Sequence, residues 1–175
     1  MTERFADILT EGGKKNTLGR AEEVLQIVAN DHSRLEELYR CLFEDDAWVR
    51  MRAVDTLEKI CRVHPDWLDP YIERLLSEVA AIDQASVQWH LAQMFGRISL
   101  SPDQRRRAIK IMERNISSKE ADWIVASNTM DTLAKFVADG ILPASELAPL
   151  LKIQQSHHSN AVVKRATRIL QELPG

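Results

Sequence analysis

Five histidines and two cysteines are the residues of this chain with the most chemistry to offer, and their spacing limits what they can do. His157 and His158 are adjacent, and neighbours on a helix diverge by about 100°, so they cannot chelate a metal from one helical face. Ser159 follows with the character of a helix cap, which predicts a loop for the pair. His64 precedes Pro65 in a turn and His32 begins a helix, and neither has an evident Cys or Ser partner in a catalytic motif. Cys41 and Cys61 stand in helical apolar patterns outside any CxxC, and read as small buried hydrophobes. The six glycines form neither GxxxxGK[ST] nor GxGxxG, and there is no HExxH. The expectation is no catalytic centre, no cofactor and no metal. Residues far apart in sequence can converge in space, so missing motifs weigh against an enzyme without deciding the matter.

Charge offers a second kind of chemistry. The formal net charge is −3, which gives the whole chain no pull on nucleic acid or anionic lipid, but the charge is uneven. Residues 101–175 hold eleven Lys/Arg against eight Asp/Glu, so the acidic excess lies in residues 1–100. Arg105, Arg106 and Arg107 form a basic run, and Arg107, Lys110 and Arg114 share a helix face by their three- and four-residue spacing. That patch could touch phosphate or an acidic protein, or be an ordinary solvated face. MTERFADILTEGG carries charges where a signal peptide needs a continuous apolar run, so export is not expected. No stretch approaches the roughly 18 apolar residues of a membrane span, so a cytoplasmic protein without a membrane partner is expected.

The elements that must carry these residues are helices in a repeating frame. Val49, Ala53, Leu57 and Ile60 recur as Val87, Leu91, Phe95 and Ile98, as Val125, Thr129, Leu133 and Phe136, and as Val162, Ala166, Leu170 and Leu173. Thr17, Ala21, Leu25 and Val28 form a weaker copy. The offsets 0, 4, 8 and 11 describe one face of an α-helix, and the starts lie 32, 38, 38 and 37 residues apart. Other apolar stripes intervene, and no period-2 run supports a strand. Ser101-Pro102-Asp103-Gln104 reads as a capping box with proline at the first helical position. Asp69-Pro70 reads as cap and proline, and Ser117 to Glu120 as another capping box. Gly12-Gly13 and Gly140 sit where helices should stop. Helical pairs are expected at about 1–30, 31–63, 66–98, 101–138 and 143–173, in a single domain over 1–175. The first helix, near residues 3–10, is short, with only Phe5, Ile8 and Leu9 to bury, and is expected to fray or lean on something outside the chain.

Asp46, Val49, Arg50, Ala53 and Leu57 match the Asp-x-x-Val-Arg-x-x-Ala-x-x-x-Leu pattern of a HEAT second helix, and the chain resembles the HEAT-repeat, armadillo-like α-solenoid family. The other copies keep the apolar frame but carry Gln88, Ala126 and Val163 in place of the Arg. The resemblance implies an all-α fold, a right-handed α-α superhelix of about five helical hairpins whose second helices line one side. Each pair would be stabilised by stacking on its neighbours.

On those helices, offsets 3, 6 and 10 should point away from the core. They give Arg52, Asp55 and Lys59; His90, Gln93 and Arg97; Asn128, Asp131 and Lys135; and Arg165, Arg168 and Glu172. Stacking would place Lys59, Arg97 and Lys135 in one row. Trp89 is a candidate for the edge of this ladder, whereas Trp48, Trp67 and Trp123 read as packing residues. The expected function is a non-catalytic scaffold or adaptor holding a protein or peptide on this ladder; the bland alternative is a solvated face. A rival is nucleic-acid binding or DNA-base repair resembling the HEAT-like alkylpurine DNA glycosylases, with Trp89, Asp131, Arg97 and Arg165 supplying the residue types. Against it, the ladder mixes Asp55, Asp131 and Glu172 among its cations, where phosphate needs a strongly basic groove.

Overall fold

The computed structural model describes residues 3–13 and 17–174, which form ten α-helices joined by turns and short 3-10 segments, with no strand among the described residues. The chain divides into two compact units, Met1–Asp69 and Pro70–Gly175.

The first unit contains α1 (Phe5–Thr10), α2 (Ala21–Asn30), α3 (Leu35–Arg40) and α4 (Ala47–Val63). Its axis is α4, which starts because Asp46 accepts the Trp48 amide at 2.7 Å. Val49, Ala53, Val54, Leu57, Ile60 and Cys61 form its buried face. Arg50, the arginine of the HEAT-like pattern, donates to the Glu44 and Asp45 carbonyls at 2.7 and 2.9 Å and so locks the turn that feeds α4. The short α1 leans on its own unit. Phe5, Ile8 and Leu9 are fully buried, and α1 packs on α2, α3 and α4. Its first amide donates to Glu37 at 2.8 Å, and the Arg34 guanidinium lies 4.0 Å from the Phe5 ring centroid. One aromatic cluster escaped the sequence pattern. His32 and His64 both stack on Trp67, with ring centroids 4.2 and 4.1 Å from it.

The second unit contains α5 (Ile72–Ser77), α6 (Ala85–Phe95), α7 (Pro102–Asn115), α8 (Trp123–Ala138), α9 (Ala144–Gln154) and α10 (Asn160–Glu172). The capping box at Ser101 forms, with both reciprocal bonds and Pro102 at the first position. The two other start signals do not act as expected. Pro70 lies inside a 3-10 segment, Pro65–Tyr71, and α5 begins only at Ile72. Residues 117–121 remain a turn, and Asp122 caps α8 instead, accepting the amides of Ile124 and Val125 at 2.9 and 3.2 Å. An aspartate caps as well as a serine, and the later cap leaves room for that turn.

Two buried polar side chains secure the same turn. Gln154, at the end of α9 and fully buried, donates to the carbonyls of Ile116 and Ser118, both at 2.8 Å. His157 follows in the expected loop. Its Nδ1 accepts the Ser159 amide at 2.9 Å, so Nε2 carries the proton donated to the Ala121 carbonyl at 2.8 Å. The first member of the histidine pair is thus a bracket between loops. Gln154→Leu keeps the bulk but strands two carbonyls, and should cost about 2 kcal/mol. Urea unfolding followed by Trp123 fluorescence checks this, and an unchanged midpoint would contradict it.

Candidate functional site

In the second unit, α8 packs against α6 on one side and α10 on the other, bringing three of the helices singled out by the repeat frame together. Two bonds stitch α6 to α8: Gln93 donates from Nε2 to Asn128 Oδ1 at 2.8 Å, and Thr132 donates to the Ala92 carbonyl at 3.1 Å. Gly96 ends α6, and a Cβ there would stand 3.2 Å from Thr132 Cγ2, so glycine permits the close approach. Between the helices lies a depression of about 290 Å³ lined by Gln93, Gly96, Arg97, Asn128, Asp131, Thr132 and Lys135. Five of these seven are ladder residues: Gln93 on α6, Arg97 just past its end, and Asn128, Asp131 and Lys135 on α8.

The charges on this face are largely matched. Asp131 is paired with Arg165 of α10, Lys135 with Asp139 at 2.6 Å, and Arg168 with Glu172 at 3.1 Å. Arg97 donates to the Gln93 carbonyl at 3.1 Å. Four cations therefore stand among three carboxylates, a near-neutral polar surface rather than a phosphate track.

Two ladder positions do not face solvent. Arg52 is only 3% exposed, and its guanidinium reaches the carbonyls of Leu9, Thr10, Glu11 and Thr17. His90 is 2% exposed and bonded at Nδ1 to the Ser86 carbonyl at 2.6 Å. Offset 3 is 300° from the reference position, which is still within the margin of a broad buried stripe. In the first unit, Asp55 and Lys59 pair at 2.8 Å on half-buried stems. Trp89 is half-buried against the His90 ring and does not line the depression. Trp123, expected to pack, is 52% exposed at the start of α8, whereas Trp48 and Trp67 are half-buried.

The basic run on α7 disperses. Arg106 pairs with Asp103 at 3.0 Å, and Arg107 pairs with Glu73 at 2.7 Å. With Gln104 also donating to it, the Arg107 guanidinium holds the Glu73 carboxyl below its ordinary range. Arg114 caps the Ala80 carbonyl at 3.3 Å. Arg105 turns instead toward the α6–α7 connection, donating to the Leu100 carbonyl at 3.3 Å. Sequence reasoning placed Arg105 only in a charge run, and Thr132 and Gly96 were not selected at all. The signals were faint: Thr132 is one residue before a core leucine, and Gly96 follows the last turn of α6.

Nucleophile chemistry finds little support. Burial pushes the Cys41 thiol up to about 12, with Glu44 and Glu37 adding to the shift, so its reactive thiolate is suppressed. Cys61 is also buried. Among the described residues no cluster of three or more His, Cys, Asp or Glu is placed to hold a metal ion, and no helix is long and apolar enough to cross a membrane.

The stacked helical pairs and the polar second-helix face define a helical-repeat protein. The HEAT repeat domain model matches residues 13–109, more than half of the chain, and the chain belongs to that family. A crystal structure of an engineered protein has a similar fold, with a TM-score of 0.61 at 20% identity over 95% of this chain and 78% of the other. No curated protein matches the sequence.

Proposed function

We propose that the chain is a non-catalytic scaffold that holds a protein or peptide partner on the face formed by α6, α8 and α10. The observation that carries this reading is the depression between α6 and α8, whose lining is largely the set of polar residues the repeat frame turns outward. Gln93 and Asn128 offer amide groups suited to a partner's backbone, while Arg97, Asp131 and Lys135 offer charges of both signs. Arg165 and Arg168 extend the polar rim through Asp131 and Glu172. Such a surface selects a partner by complementarity more than by bulk apolar area. Arg52 and His90 serve the interior, and Asp55 and Lys59 pair with each other within the first unit.

The nucleic-acid reading is the weaker one, because the carboxylates among the cations oppose a run of phosphates. The test is capture from the lysate of the source cells with wild type, Asn128→Trp, and Arg97→Glu/Lys135→Glu as baits. A protein retained by wild type and lost by Asn128→Trp supports the reading. Equal retention by all three baits removes this face from consideration, and nuclease-sensitive recovery favours the rival.

A further inference from the structure

Two side-chain amides line the α6–α8 depression, and their hydrogen bonds fix which way each one points. Asn128 Nδ2 donates to the Ile124 carbonyl, one turn back on α8, at 2.8 Å. Its Oδ1 is therefore the atom that accepts from α6, and Gln93 supplies Nε2, also at 2.8 Å. Reversing Asn128 would set its oxygen against that of Ile124, and reversing Gln93 would set its oxygen against Asn128 Oδ1. The accounting then leaves one acceptor and one donor over. Gln93 Oε1 is buried and accepts no hydrogen bond among the described residues. Asn128 Nδ2 carries two protons, of which Ile124 takes one.

A buried acceptor without a donor costs stability, because its water is gone and nothing replaces it. Gln93 Oε1 lies beneath the surface, so a donor reaches it only by entering the depression that the side chain lines. The neighbouring charges do not meet the need. Lys135 is paired with Asp139, and Arg97 donates to the main-chain carbonyl of Gln93, not to its side chain. We infer that Gln93 and Asn128 together receive one main-chain peptide group of an extended partner segment. Its N–H donates to Gln93 Oε1, and its C=O accepts from Asn128 Nδ2. A peptide group is the unit of every polypeptide that carries one donor and one acceptor together. This rests on the scaffold reading of the same face and narrows it. The partner is held here by its backbone, so the segment is one whose peptide groups are not committed to a helix or sheet of its own. A nucleobase edge also combines a donor with an acceptor, but it arrives with phosphates, which this near-neutral face does not attract.

The test uses the full chain, labelled with nitrogen-15 and titrated with a capped Gly-Ser hexapeptide. Two further ligands are the same peptide N-methylated at every residue, which keeps the carbonyls and loses the donors, and a six-nucleotide oligoadenylate. The expected result is saturable shifts of the Gln93 and Asn128 side-chain amide signals with the plain peptide, and none with the methylated one. Gln93→Met should weaken the plain peptide roughly tenfold, the loss of one hydrogen bond at a buried site. Asn128→Asp is the second variant should Gln93→Met disturb the α6–α8 contact. It keeps an oxygen for Gln93 and removes the donor, and binding should fall likewise. Gln26→Met, in the first unit, should change nothing. Absence of saturable shifts, equal shifts from the methylated peptide, shifts centred elsewhere, binding that survives both variants, or oligoadenylate binding as tight as the peptide would each overturn the assignment. Such a failure is distinct from failure of the scaffold reading, since a partner captured by wild type and lost by Asn128→Trp would then be held by its side chains alone.

Discussion

Arg52→Ala is expected to destabilise the first unit by about 3–4 kcal/mol, with α1 the first element to loosen. The guanidinium is buried on α4 and donates to Leu9 at 2.6 Å and Thr17 at 2.9 Å, with longer contacts to Thr10 and Glu11. Leu9 and Thr10 close a helix of six residues, whose terminal carbonyls have no intrahelical partners. A cation at that end also meets the negative pole of the helix. Alanine removes the donors and leaves buried carbonyls unsatisfied, while opening the space the side-chain stem filled. Arg52→Met should recover the packing but not the hydrogen bonds, and fall between the two. Hydrogen exchange is the measurement of choice: amides of α1 and α4 in Arg52→Ala should exchange about a hundredfold faster, the factor that roughly 3 kcal/mol implies. Exchange unchanged in α1 would show that Arg52 does not hold it.

Why Arg52 was read as a surface residue shows how far a repeat frame reaches. The frame places side chains by angle, and by angle alone it selected Gln93, Arg97, Asn128, Asp131 and Lys135, which do line one depression. Capping chemistry was legible where it is local, as at Ser101 and Gln104, because both partners lie within four residues. It failed at Ser117–Glu120, where Asp122 offered the backbone a competing start. What was illegible is what depends on partners far along the chain. Arg52 is buried because a loop some 40 residues earlier presents carbonyls to it, and Gln154 because residues 116–118 do the same. The burial of α1 escaped for a related reason: three apolar residues look too few until α2, α3 and α4 surround them. The pairing of charges was hidden too, since the partners of Arg165 and Arg107 sit more than 30 residues away.

Gly19→Ala is the other substitution with a large expected effect, about 3 kcal/mol or more, through backbone strain and steric conflict together. Gly19 has φ +52°, in the left-handed region, where a Cβ alone costs about 1 kcal/mol. Here the Cβ would also overlap the carbonyls of Gly12 and Glu11, which are backbone and cannot swing away, and approach the Arg52 guanidinium carbon to 3.2 Å. Relief would require the α1–α2 connection to move off α4, which breaks the bonds Arg52 makes to Glu11 and Thr17. The two substitutions therefore damage one structure. In Gly19→Ala/Arg52→Ala the combined loss should fall short of the sum of the single losses by at least about 1 kcal/mol, as residues sharing partners do. Strict additivity in urea unfolding of the four proteins would mean that the glycine and the arginine stabilise the first unit separately. A shortfall would identify the α1–α2 connection, Gly19 and Arg52 as one cooperative lock on the N-terminal helix.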